Sequence, residues 1–127
     1  MNGTKYWTWH MGASVILLFL LGFHMLIMHI GSIVHWFSPF GGEAISVKNS
    51  LFRDSSLYFT VSYVFLLAVG LYHGLYGLRT LLFELTLKPA FERVVTVFLW
   101  VLGFGLLGLG TWAAVAAHRV ALPGVRG

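Results

Sequence analysis

Three long apolar runs, separated by short polar segments, set the pattern of the chain. No Asp, Glu, Lys or Arg lies between Lys5 and Glu43, between Asp54 and Arg79, or between Arg93 and Arg119. A helix needs roughly 20 apolar residues to cross the hydrocarbon core of a bilayer, and each gap is long enough. The pattern therefore predicts spans over about 11–35, 57–82 and 94–117. No gap alternates with period two, which argues against transmembrane strands. Helices also satisfy their own backbone groups in lipid. The expected fold class is all-α, an integral membrane bundle of three transmembrane helices. Residues 1–127 are expected to form a single membrane domain, with no soluble catalytic domain within them.

The polar segments supply the punctuation. Tyr6, Trp7 and Trp9 make an aromatic belt before the first span, where amphipathic rings favour the membrane interface. His35, Trp36 and Phe37 mark its exit. "SPFGGEAISVKNSLFRDSS" reads as a polar loop with Pro39, Gly41 and Gly42 as turn residues. Ser55 and Ser56 are expected N-caps of the second span, which ends near Glu84. "LTLKPAFERV" is a short turn, with Pro89 opening the third span. That span is expected to stop at His118 and Arg119, leaving "VALPGVRG" unstructured. The start, "MNGTKYWTWHMGAS", has one lysine and no small-x-small site, so no signal peptide is expected.

Composition narrows the chemistry. Hydrophobic residues make up 58% of the chain and charged ones only 9%, against about a quarter in a soluble domain. There is no cysteine. That excludes disulfides, thiolate metal sites, iron–sulfur ligation and covalent c-type haem. The net charge of +4 is scattered, with no basic stripe, so no nucleic-acid partner is expected. Lys5, Arg79, Lys88 and Arg93 balance Lys48, Arg53, Arg119 and Arg126 across the expected topology. The positive-inside rule therefore gives no orientation. No Asp or Glu lies inside a span, so no buried carboxylate relay for proton pumping is encoded.

Six histidines remain. His10, His35 and His118 fall at expected interfaces, where an amphipathic ring needs no further reason. His24, His29 and His73 lie deeper, where a polar side chain faces a partner helix or a cofactor. His24 and His29 point about 140° apart on a helix, so one face cannot offer both to one site. Met25 and Met28 beside them read as packing. Gly70, His73 and Gly77 share one helix face, with Gly74 beside it. Small residues at such a stripe serve close helix packing. A flat macrocycle against the helix, with the imidazole on its iron, accounts for the histidine as well. Arg79 lies about 9 Å further along the axis. It is placed to meet a haem propionate or a quinone carbonyl, to snorkel, or to pair with Glu84. His24 lies about 20 Å and His73 about 13 Å from the same membrane surface. That offset points to different irons.

"HGLYGLRTLLFELTLKP", His73 to Pro89, resembles the H-x-x-x-G-x-R…D/E segment of the membrane anchor subunits of succinate dehydrogenases and fumarate reductases, the respiratory complex II family. His73, Gly77, Arg79 and Glu84 match that pattern. "SVILLFLLGFHMLIMHI" and "LFRDSSLYF" are similar to the di-haem branch of the family. The likeness covers residues 7–112. It implies a cytochrome b-type anchor, itself non-catalytic, in an oxidoreductase complex of the tricarboxylic acid cycle. The anchor would pass electrons between an iron–sulfur subunit and membrane quinone. It implies one or two haem b groups, with His73 and His24 as axial ligands of iron, each paired with a ligand from a partner chain. Gly70, Gly77 and Arg79 would line the cofactor site. The implied partners are a sister membrane anchor, the iron–sulfur subunit, a flavoprotein subunit, quinone and lipid. The implied location is the inner cell membrane, multi-pass, with a cytoplasmic N-terminus. Family members carry an Arg or Ser near the start of the first span that helps form a quinone site; Ser14 stands there here. Leu85 stands where one-haem members place a tyrosine. Two other readings stay open: a haem-free, quinone-binding anchor of the same family, and a structural or transporter-associated small membrane subunit.

Overall fold

The computed structural model describes residues 2–29, 46–85 and 88–126. Among them are four helices and no strand: α1 (Asn2–His29), α2 (Val47–Ser55), α3 (Leu57–Phe83) and α4 (Pro89–Arg126). Three of these, α1, α3 and α4, are long and apolar enough to cross a membrane. The all-α architecture expected from the charge-free gaps is present. The end of the expected first span with His35, and the turn residues Pro39, Gly41 and Gly42, lie outside the described residues.

Helix boundaries depart from the sequence reading in three places. The first helix begins at Asn2, so Tyr6, Trp7 and Trp9 belong to it. An aromatic belt marks a lipid boundary, and a helix continues through such a boundary when nothing in the sequence breaks it. The segment read as a loop contains α2. Ser46 caps it by accepting a bond from the Asn49 amide, the usual service of an N-cap serine. This helix turns Asn49 and Arg53 inward, one turn apart, and leaves Val47 exposed. With its polar residues buried and Val47 outward, its pattern is inverted relative to a helix on a water-facing surface. Finally, α4 runs on past His118 and Arg119, through Pro123, to Arg126. His118 Nδ1 donates to the Asp54 carbonyl at 2.7 Å, and Ala121 is buried. Packing on α2 thus supports the helix beyond the polar pair. Ser56 does stand at the N-cap of α3, though its side chain makes no capping bond. Pro89 opens α4 as expected.

Helix α3 occupies the middle. It packs against α1 on one side and α4 on the other, and among the described residues no Cα of α1 comes within 8 Å of α4. The spans therefore form an open row. Few residues are enclosed: Ala13, Ile27, Leu99 and Ala121 are the buried apolar ones described. Large side chains such as Trp9, Phe19, Trp100 and Trp112 point outward. Between α3 and α4 the close approach rests on glycine. A Cβ on Gly103 would lie 2.8 Å from Leu75 Cδ1, and one on Gly110 would run into Leu67 Cδ2. Gly105 and Gly108 face open space.

These positions separate packing glycines from the rest. Alanine at 103 or 110 is expected to be absorbed by rotation of a leucine end. Leucine at either is expected to cost about 1–3 kcal/mol through overpacking. Leucine at 105 or 108 should leave the isolated chain unchanged. Thermal unfolding of the six variants in detergent checks this.

Candidate functional site

The site grows out of the antiparallel register of α1 and α3. Gly77 lies against His10, His73 against Ser14, Gly70 against Leu17 and Tyr63 against His24. On α1 these positions fall four, three and seven residues apart, one face of a helix. The repeat of seven is the spacing of shallow left-handed helix packing. A Cβ on Gly77 would sit 3.5 Å from His10 Cε1, and one on Gly70 would sit 3.9 Å from Leu17 Cδ2. Both are ordinary contact distances. The space over Gly70 and Gly77 is thus taken by α1 side chains, and Gly74 is the glycine of this group that faces open space.

Gly77 lets the His10 ring lie down on α3. That ring stacks on His73 with centroids 4.3 Å apart and planes within 5°. Tyr76 lies beside it, with ring centroids 5.0 Å apart and planes tilted by 40°. Ser14 completes the group: its Oγ donates to the His10 carbonyl at 3.0 Å and lies 3.1 Å from His73 Nδ1. Nε2 of His73 makes no hydrogen bond among the described residues and is not enclosed. His10 Nδ1 is enclosed without a partner. A hydrogen bond between membrane helices contributes about 0.6 kcal/mol on average. Leaving a buried polar atom unsatisfied costs about 1–3 kcal/mol. As a stabilising device, then, the His10–Ser14–His73 group gives little or nothing.

His24 lies well away from this group. It is half-buried, its ring set edge-on to Tyr63 at 6.4 Å. From Tyr63 to His73 along α3 is about 15 Å by helical rise. The two deep histidines of the α1–α3 interface therefore sit at separate levels, further apart than depth counting suggested. His29 is exposed. Among the described residues no three His, Asp or Glu gather as a metal-ion site.

Arg79 is on the α4 side of α3. Its Nε donates to Thr96 Oγ1 at 3.1 Å, and its guanidinium lies over the Phe83 ring, 4.1 Å from the centroid. Among the described residues it forms no ion pair with Glu84, and its Nη groups make no hydrogen bond. It closes one end of an apolar groove of about 170 Å³ between α3 and α4, whose lining includes Tyr72, Tyr76, Thr96 and Trp100. Tyr76 borders both this groove and the histidine stack.

Of the residues singled out in the sequence, the structure brings Gly70, His73 and Gly77 together against α1, places His24 at another level of the same interface, and leaves Arg79 on the α4 side. His10 was read as an interfacial ring and emerges as the stacking partner of His73. The signal was available in the spacing of His10, Ser14, Leu17 and His24, which mirrors Tyr63, Gly70, His73 and Gly77 in reverse. The register is testable on a chain without cysteine. Leu17→Cys combined with Gly70→Cys is expected to cross-link under mild oxidation. Leu18→Cys with Gly70→Cys should not, because exposed Leu18 points away from α3. Gel mobility before and after reduction reads the result. No family model, curated protein or solved structure matches this chain.

Proposed function

We propose that this chain is the haem b-binding membrane anchor of a succinate:quinone oxidoreductase or quinol:fumarate reductase. In that role it passes electrons between an iron–sulfur subunit and membrane quinone beside a sister anchor. The supporting observation is the His73 imidazole, deep in an apolar span, with Nδ1 in hydrogen-bond contact and Nε2 left unbonded and accessible. An axial histidine has this form, one ring nitrogen oriented by a neighbour and the other offered to metal. The residues fit a haem approaching from the open side at Gly74. Gly70 and Gly77 serve by letting α1 close on His73. When bound, the haem supplies one-electron transfer at a potential set by its axial ligands. Everything else asked of this chain is positioning.

The open row of spans fits the same reading. His73 and His24 lie at separate levels, so each second ligand would come from another chain. Quinone would occupy the groove between α3 and α4, where the free Nη groups of Arg79 supply hydrogen-bond donors to a carbonyl in apolar surroundings. The N-terminus would be cytoplasmic, which puts His73, Arg79 and the α3–α4 turn toward the side where a peripheral iron–sulfur subunit docks. A haem-free anchor of the same family is the second reading. It is favoured by the fact that α1 fills the space over Gly70 and Gly77.

The reduced-minus-oxidised spectrum of the purified complex decides between them. A b-type band that is about halved by His73→Ala and about halved by His24→Ala supports two haems. No band in the wild-type complex ends the haem reading. For quinone, a hydrogen bond from a charged donor is worth roughly 1.5–3 kcal/mol. Arg79→Gln is therefore expected to raise the quinone KM at least about tenfold, with haem content unchanged. An unaltered KM moves the quinone site elsewhere.

A further inference from the structure

We infer that Ser14 fixes the proton of His73 on Nδ1, and so makes Nε2 the atom that faces outward to bind. Only what Nε2 then binds rests on the haem reading. A serine hydroxyl has one proton and two acceptor lone pairs. Here the proton is directed to the His10 carbonyl at 3.0 Å. The oxygen that remains faces His73 Nδ1 at 3.1 Å with lone pairs alone. A bond at that distance therefore requires the proton to be on the ring. In the other arrangement the hydroxyl turns to donate to Nδ1, and its bond to the His10 carbonyl is lost. The first arrangement keeps two hydrogen bonds and the second keeps one. In an apolar span, where water does not compensate, that count decides.

The His10 ring completes the device. Stacked within 5° of parallel on His73, it holds the plane of that ring while Ser14 selects the edge. His10 Cε1 lies over Gly77. Ser14 is thus a positioning residue. An acceptor on Nδ1–H also makes Nε2 a more basic ligand.

The test uses the full-length chain with 13C,15N-histidine in lipid vesicles. Magic-angle-spinning NMR reads the tautomer, and the His73 signal is identified by its loss in His73→Gln. Wild type is expected in the Nδ1–H form, Ser14→Thr likewise, and Ser14→Ala shifted toward Nε2–H. A wild-type Nε2–H ring overturns the inference, as does a Ser14→Ala chain that keeps the wild-type tautomer. If Ser14→Ala fails to fold, the wild-type and threonine spectra still decide. In the assembled complex, Ser14→Ala should weaken haem retention by roughly 10–100-fold, with rescue by threonine. Retention equal to wild type overturns the positioning role. A wild-type complex without haem sinks the haem reading but leaves the tautomer result intact.

Discussion

The polar contacts between α1 and α3 depend on how closely the two helices approach. In lipid no hydrophobic force drives one helix onto another, because hydrocarbon tails are as apolar as leucine; close packing and small residues do that work. Gly70 and Gly77 give α3 a surface low enough for Leu17 and His10 to rest on. At that approach the Ser14 hydroxyl lies 3.1 Å from His73 Nδ1. The other side of α3 reverses the scheme. There α3 contributes the leucines, Leu67 and Leu75, and α4 contributes the glycines, Gly103 and Gly110. The central helix receives side chains on one face and inserts them on the other, and this fixes both flanking helices to it.

The parts of the fold that were legible in the sequence are those set by solvation alone. Charge-free gaps identify spans because a charge in hydrocarbon is expensive whatever the helix packs against. Pro89 at the start of α4 was legible for a local reason, its fixed φ and missing amide proton. What stayed hidden needed a neighbour. Helix α2 hides its polar residues Asn49 and Arg53 and shows Val47 outward, the reverse of the pattern that signals a helix in a water-soluble protein. The last turns of α4 persist because Ala121 and His118 have α2 to pack on. Pro123 and the polar pair before it look like an ending to anyone who cannot see that contact.

The candidate site was half legible for the same reason. A histidine flanked by glycines, as His73 is by Gly70, Gly74 and Gly77, states that something approaches the helix closely. It does not state whether a flat cofactor or a second helix does so, because both need the same missing side chains. The answer lay in the phase of another segment. His10, Leu17 and His24 recur every seven residues, as do Tyr63, Gly70 and Gly77, and running the two series antiparallel superposes them. His10 was discounted because it lies near the membrane surface. Yet depth alone says nothing of facing, and His10 faces His73.

The distance between the two histidine levels carries a consequence for assembly. Counting residues from the membrane surface puts His24 and His73 about 7 Å apart in depth; the register of α1 on α3 puts them about 15 Å apart. No single iron can join them. His10 cannot act as the opposing ligand at the His73 level either. Its ring lies parallel to His73 at 4.3 Å, so the lone pairs of the two rings lie in two parallel stacked planes and cannot converge on one iron from opposite sides. If these imidazoles bind iron, as proposed, each level of this chain would present half of a ligand pair. Under the proposed function, the exposed flanks of the row and the unpaired imidazoles have the same cause: a second membrane chain that supplies both the missing contact surface and the missing ligands.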